Sequence, residues 1–380
     1  MSQLLPPPEW VNQPEQLEAL AQTLLAEPII AVDTESNGLH AYHEQVCLLQ
    51  FSTPTADYLV DPFILSDLES LRMVFASPNV QKVFHASEYD LLSLRRDFGF
   101  TFSNLFDTMW AARILGWKAF GLGAILQERF QVHVDKRYQR ANWGQRPLGP
   151  DLLAYARLDT HYLLRLRALQ REELEEKKLL PLAEQDFARM AKIGSERDIL
   201  PNGNLELERI SGARDLNGRE LAVLKTLNSY RERLAIQRNA PVFKVFNDSF
   251  LIAIARAQPT SRAQLYNVPG IPLSLLKRHG RDLLRVVREG QQSPPIQLPP
   301  LPPRPDERYL ERLEALKQWR KTTAKKIGVE SDVVLPRDLL EEIARVAPRS
   351  PQALANILNE VPWRNERYGT HLLRLLEKLP

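Results

Sequence analysis

The chain has 380 residues, 44% of them hydrophobic and 26% charged, with one cysteine and a formal net charge of +3. That length suits two or three soluble domains. The lone Cys47 excludes an internal disulfide, and no run approaches the roughly 18 uninterrupted apolar residues of a membrane-spanning helix. The start, MSQLLPPPEW, lacks a basic region followed by an apolar one, so a cytoplasmic location is expected.

The first 170 residues alternate strand-like and helix-like runs. In EPIIAVDTESNGL, the apolar residues Ile29 to Val32 predict a buried strand that runs directly into Asp33 and Glu35. Side chains two apart on a strand face the same way, so these two carboxylates lie side by side and repel. QVCLLQFST, ADYLVDP and the shorter VQKVFHA read as further strands. LESLRMVFAS, SEYDLLSLRRDFG and DLLAYARLDTHYLLRLRALQREELEEK carry apolar residues at helical spacing, the last predicting one continuous helix. Together they predict a mixed α/β domain whose early strands are antiparallel and later ones parallel.

Two of these helices carry acids where apolar residues are expected. Asp90 lies in the first turn of its helix. Tyr155 and Asp159 are four apart, one above the other on the buried stripe of theirs. Asp33, Glu35, Asp90 and Asp159 thus form four acids in need of a positive partner, and a buried unpaired charge is costly. A divalent metal relieves all four. Oxygen-only ligands favour Mg²⁺ or Mn²⁺ over zinc, and two such ions about 3.5 to 4 Å apart suit in-line phosphoryl displacement. Tyr155, with an ordinary pKa near 10, is a poor base at neutral pH and is read as orienting the attacking water or the scissile phosphate. In the tract ERFQVHVDKRYQRANWGQRPL, basic and aromatic residues interleave, which makes Arg137, Arg140, Trp143 and Arg146 candidate contacts to a single-stranded nucleic acid. His85 and His161 read as structural or supporting, and Cys47 as core.

Beyond about residue 205 strand signals fade and the chain repeats itself. Tyr230-Arg231 matches Trp319-Arg320, Ile254-Ala255-Arg256 matches Ile343-Ala344-Arg345, and Gly280, Leu283 and Leu284 match Gly369, Leu372 and Leu373, all 89 residues apart. A constant ungapped offset implies two copies of one small helical domain. Between them, SPPIQLPPLPPRPDE predicts an extended, proline-stiffened spacer. Charge divides along the same lines. Residues 1 to 208 hold 20 Lys+Arg against 29 Asp+Glu, residues 209 to 290 hold 15 against 6, and residues 307 to 380 hold 14 against 11. The basic first copy points to a polyanion, while the nearly balanced second copy is expected to bind one only weakly by itself.

VDTES, HASEYDLLSL and YARLDTHYLL resemble the three motifs of the DEDD exonuclease superfamily, the last with the Tyr-x-x-x-Asp of its DEDDy branch. The duplicated module is similar to the HRDC domain (helicase and ribonuclease D C-terminal), and the whole order resembles the ribonuclease D family. The resemblance implies a multidomain protein: an α/β ribonuclease H-like exonuclease domain at 1–205, a first HRDC domain at 209–291, a Pro-rich linker at 292–306 and a second HRDC-like domain at 307–380. Asp33, Glu35, Asp90 and Asp159 would be metal ligands for two Mg²⁺ or Mn²⁺ ions, and Tyr155 would position water. Asp107, in FDTMWAARIL, reads as a cap or supporting group. The implied activity is 3′-to-5′ trimming of precursor tRNA and other small structured RNAs to nucleoside 5′-monophosphates. Tandem modules able to close a channel within one chain make a monomer the expectation, and the lack of an apolar span makes a membrane partner unexpected. A proofreading-type DNA exonuclease and a non-catalytic RNA-binding adaptor are the competing readings.

Overall fold

The computed structural model describes residues 6–65, 67–194, 205–301 and 303–379. The position where the sequence ends its first domain, near residue 205, adjoins residues 195–204, which lie outside the described ones. The chain forms two compact units. One comprises residues 1–36, 46–195 and 304–380, the other residues 37–45 and 196–303. Among the described residues no helix is long and apolar enough to cross a membrane.

The first unit is built on a six-stranded sheet: β1 (Glu9–Val11), β2 (Ile29–Ser36), β3 (Val46–Ser52), β4 (Asp57–Val60), β5 (Gln81–Phe84) and β6 (Leu105–Asp107), in the order β1-β4-β3-β2-β5-β6. The pairings β2–β3 and β3–β4 are antiparallel, and β2–β5 and β5–β6 are parallel. The expected mix of early antiparallel and later parallel strands is observed from β2 to β6, whereas β1 pairs with β4 in parallel. β1 and β6 have three residues each, too few to show a periodicity, and the sequence reading missed both.

Helices cover both faces: α1 (Pro14–Ala26), α2 (Glu69–Ala76), α3 (Glu88–Phe98), α4 (Thr108–Ile114), α5 (Leu122–Phe130), α6 (Pro150–His161), α7 (Leu163–Glu176) and α8 (Leu180–Met190). That double coverage explains why Ile30, Ala31 and Val32 are all buried although they alternate in direction. The single helix expected over 151–177 is a correction: the chain turns at Tyr162. α6 lies on β2, β3 and β4, whereas α7 crosses to α4 and β5, and one straight helix cannot follow both surfaces.

The second unit holds α9 (Leu205–Glu208), α10 (Gly218–Arg238), α11 (Val242–Val245), α12 (Asp248–Ala257), α13 (Arg262–Tyr266) and α14 (Leu273–Gln292). Tyr42, from the 37–45 segment, donates its hydroxyl to Glu232 at 2.6 Å. Five further helices belong to the first unit: α15 (Glu307–Ile327), α16 (Ser331–Val334), α17 (Arg337–Val346), α18 (Pro351–Ile357) and α19 (Pro362–Glu377). The repeat is structural. Each of α10 to α14 starts 89 residues before its counterpart in α15 to α19. The matched arginines make the same bond, Arg231 to the Phe246 carbonyl and Arg320 to the Leu335 carbonyl, which ties the long helix of each copy to its short second one. The Pro-rich segment is partly pinned. Ile296 donates its N–H to the Gly218 carbonyl at 2.9 Å, and Ile296 and Leu298 pack on the first copy's core.

The second copy is docked on the α/β domain. Arg364 forks onto both oxygens of Asp186, at 2.7 and 2.8 Å, with the arginine 0% and the aspartate 4% exposed. Trp110 donates its indole N–H to the same carboxylate, and Val334 and Val333 supply carbonyls to the guanidinium. Around this pair Arg113 meets Asp332, and Arg189 and Lys192 meet Glu360. Gly116 makes the seam possible: a Cβ there would lie 2.7 Å from the Gly328 carbonyl oxygen, and its φ of +72° is one that L side chains rarely adopt.

Candidate active site

β2 pairs antiparallel with β3 on one side and parallel with β5 on the other. Its pairing with β5 stops at Ala31↔Val83, while its pairing with β3 continues through Asp33↔Gln50 and Glu35↔Leu48. The C-terminal half of β2 is therefore bordered by a strand on one side only, and α3 enters beside it. The turn from β5 into α3 holds Ala86 at φ 62°, a left-handed conformation that costs an L residue about 1–2 kcal/mol. Asp107 secures that turn. Its carboxylate accepts N–H bonds from Ala86 at 3.3 Å, Ser87 at 2.7 Å and Trp110 at 2.9 Å, so one side chain caps α4 and fixes the entry of α3. The supporting role read from the sequence is the one seen. Asp90 is thereby delivered to β2, where it accepts a 2.5 Å bond from the Thr34 hydroxyl.

α6 brings the other two groups. Asp159 and Thr160 are buried one turn beyond Tyr155 and Ala156, and the helix is pinned to the sheet by the Ser52–Thr160 hydroxyl bond at 2.8 Å and by His161 on Asp57 at 2.8 Å. His161 is thus structural. A cavity of about 520 Å³ opens above the strand end, lined among others by Asp33, Glu35, His85, Lys136, Tyr155 and Asp159. Asp90 is absent from this lining and sits behind Thr34.

The electrostatics are those of crowded acids. Burial and then the charges of Asp90, Asp159 and Glu35 hold the Asp33 carboxyl well above its ordinary range. Glu35 is raised by burial and by Asp159 and Asp90. Burial pushes Asp90 and Asp159 up to about 7, against hydrogen bonds from Thr34 and Tyr155 that favour their charged forms. Tyr155 is also raised, by burial and then by the charge of Asp159, so it donates to Asp159 and does not serve as a base. His85 is pushed down to about 4 by burial. The Thr108 hydroxyl already donates to the Phe84 carbonyl, so the neutral His85 ring donates from Nδ1 to Thr108 and keeps Nε2 as an acceptor.

Four carboxylates without a thiolate, raised by burial and by one another, are a donor set suited to a hard divalent cation. Among the described residues no three such side chains stand preset as a metal centre. Mutual repulsion opposes that convergence until positive charge is supplied.

Directly across from Asp33 lies Gln50, 0% exposed, with neither amide atom hydrogen-bonded to protein. Nothing in the sequence marks it, since a glutamine inside VCLLQFS also reads as an edge position. The basic tract is corrected. Trp143 is 1% exposed and packs against Tyr155, so no base can stack on it. Arg146 is committed to Asp61 and to the Cys47 and Trp143 carbonyls. Arg137 pairs with Asp135, and Arg140 is exposed at the end of the same short turn. Lys136, a further basic residue of the tract, is the cation of it that reaches the cavity.

The 3′-5′ exonuclease family model matches residues 8–175, and the HRDC domain model matches twice, at 220–287 and 310–376. Ribonuclease D of Pseudomonas paraeruginosa is 27% identical over 376 residues, 97% of either chain. The crystal structure of Escherichia coli RNase D, described as an exoribonuclease involved in structured RNA processing, matches with a TM-score of 0.70 at 26% identity, over 98% of this chain and 99% of that one. Protein RRP6-like 2 of Arabidopsis thaliana is 30% identical over 75% of this chain, which spans about a third (34%) of that protein. With the fold and the duplicated module, these matches identify the chain as a 3′-5′ exonuclease-domain protein of ribonuclease D architecture, with one nuclease domain followed by two HRDC domains.

Proposed function

We propose that the chain is a divalent-metal-dependent, cytoplasmic 3′-to-5′ exoribonuclease that trims the single-stranded 3′ ends of precursor tRNA and other small structured RNAs. The observation that carries this reading is the gathering of Asp33, Glu35, Asp90 and Asp159 around the free end of one strand, each with its carboxyl raised. These four would hold the metal, two Mg²⁺ or Mn²⁺ ions, which when bound neutralises the carboxylates and supplies Lewis-acid stabilisation to the phosphate. The chain's own residues do the positioning. Tyr155, held by its bond to Asp159, directs its hydroxyl toward the reacting water or phosphate. Lys136 adds a positive charge on the cavity wall, and His85 offers a neutral acceptor. Water adds to phosphorus and the P–O3′ bond breaks, leaving a 3′-hydroxyl on the shortened RNA and a nucleoside 5′-monophosphate as product.

The ribonuclease D relatives favour RNA over DNA as substrate. Hydrolysis of matched RNA and DNA single strands is the test. Faster release from RNA is expected, and equal or faster release from DNA would make the enzyme a DNA exonuclease. Asp159→Asn is expected to lower turnover by at least a thousandfold while leaving RNA binding in chelator within about twofold. Retained turnover would remove Asp159 from the metal site.

A further inference from the structure

Gln50 interrupts a strand that is otherwise apolar from Val46 to Phe51. It is fully buried, and neither its amide oxygen nor its amide nitrogen has a hydrogen-bond partner. A glutamine carries two N–H donors and a carbonyl acceptor, and leaving them unpaired in a dry interior is costly. An apolar side chain would avoid that cost.

The sheet register fixes where the amide points. Gln50 is paired with Asp33 on β2 and with Leu59 on β4, both antiparallel. Directly opposed residues of such a pair face the same side of the sheet, with Cβ atoms about 4.5–5.5 Å apart. Gln50 therefore shares a face with Asp33, and with Leu48 and Ser52, each two residues away on β3. That is the face α6 covers: Leu48 and Leu59 cluster with Tyr155 and Ala156, and the Ser52 hydroxyl bonds Thr160, the residue after Asp159. Of these neighbours, Leu48 and Leu59 offer no polar side chain, and Ser52 is already engaged with Asp57 and Thr160. The Asp33 carboxylate remains as the acceptor alongside the amide. Asp33 lines the cavity and Gln50 does not, so the amide reaches the carboxylate from behind and does not touch a substrate in the cavity.

We propose that Gln50 is a positioning residue for Asp33: when a divalent cation draws the four carboxylates together, the Gln50 amide nitrogen donates to the Asp33 oxygen turned away from the ion and fixes the carboxylate's orientation. This role rests on the acids at the end of β2 holding metal, and it adds the group that steadies one of them. Mutual repulsion opposes the gathering of the carboxylates until positive charge is supplied, so the donor finds its acceptor only on binding. The same side chain thereby lowers the stability of the metal-free fold and raises its affinity for the ion. Hydrogen bonds of this kind to a metal ligand typically change metal affinity by about 10–100-fold.

The test uses the full chain and Mn²⁺ alone, with free Mn²⁺ read by electron paramagnetic resonance and no RNA present. Gln50→Leu is expected to weaken Mn²⁺ binding about tenfold while melting at or above the parent's temperature in chelator. Gln50→Met keeps the length of the side chain without the amide and should behave alike, which guards against a packing defect peculiar to leucine. In hydrolysis of RNA, the Mn²⁺ concentration for half-maximal turnover should rise by a similar factor, with KM for RNA at saturating Mn²⁺ unchanged. Variants that bind Mn²⁺ with the parent's affinity would overturn the proposal and leave the amide to a buried water. Variants that melt below the parent in chelator would overturn it as well, by showing that the amide already has a partner in the metal-free fold. Failure of the exoribonuclease reading looks different: the parent chain itself would not hydrolyse RNA with Mg²⁺ or Mn²⁺, whatever its affinity for the ion.

Discussion

Two of the places where the first unit buries charge are built in opposite ways. At the seam between the nuclease domain and the second HRDC copy, Arg364 and Asp186 are bonded to each other, and the groups around them supply further hydrogen bonds. At the end of β2 four acids are gathered with no guanidinium or ammonium ion-paired to any of them among the described residues, and their carboxyls are raised. Paired burial is complete within the protein. Like-charged burial is not, which is what the proposed metal would complete.

This contrast fixes the sign of mutations. The largest effect belongs to the seam: Arg364→Ala strands a buried carboxylate and is expected to cost about 3–5 kcal/mol in denaturant unfolding. Replacing both partners, Arg364→Met with Asp186→Leu, should recover most of that loss, whereas a single variant as stable as the parent would mean the pair is not buried in solution. At the site the sign reverses. Asp159→Asn, which is expected to remove turnover, should stabilise the chelated protein on the order of 2 kcal/mol at pH 8. A destabilised variant would show that Asp159 is paired without metal.

The same logic gives a pH dependence. In the folded chain Asp90 and Asp159 hold protons up to about 7, while unfolded aspartates release them near 3.8. The folded state therefore binds more protons across that window, and its stability, fully present below about 4, is lost as pH rises through about 7. Melting in chelator is expected to fall between pH 5 and 8, and added Mg²⁺ to raise the melting temperature more at pH 8 than at pH 5. A flat profile in chelator would contradict the crowding of the acids. The smallest effect is at Gln50. Gln50→Leu removes two unpaired buried polar atoms and should stabilise the fold by about 1 kcal/mol, and a loss of stability would reveal a partner for the amide.

Three of the four gathered acids were legible in the sequence because they interrupt an apolar pattern, while Asp90 rested on the family resemblance. Asp33 and Glu35 follow Ile29 to Val32, and Asp159 stands on a buried stripe. The repeat was legible because its offset never slips. What escaped depends on geometry that no local pattern encodes. Arg364, in VPWRNERYGT, has the sequence context of an exposed base, yet its burial is decided by Asp186, 178 residues away. Trp143 and Arg146 looked like RNA contacts because basic and aromatic residues alternate there, but packing against Tyr155 and pairing with Asp61 take both inward. The break at Tyr162 follows from the two surfaces that α6 and α7 must cover, which periodicity along one helix cannot show.

The most direct measurement is digestion of an RNA hairpin with a single-stranded 3′ tail, labelled at either end, with Mg²⁺, with Mn²⁺ and with chelator. Metal-dependent release of mononucleotides from the 3′ label, with the 5′-labelled product shortening stepwise and stalling near the duplex, is the expected result. Binding without cleavage under either metal would contradict it, and would leave the acids at the end of β2 without a catalytic role.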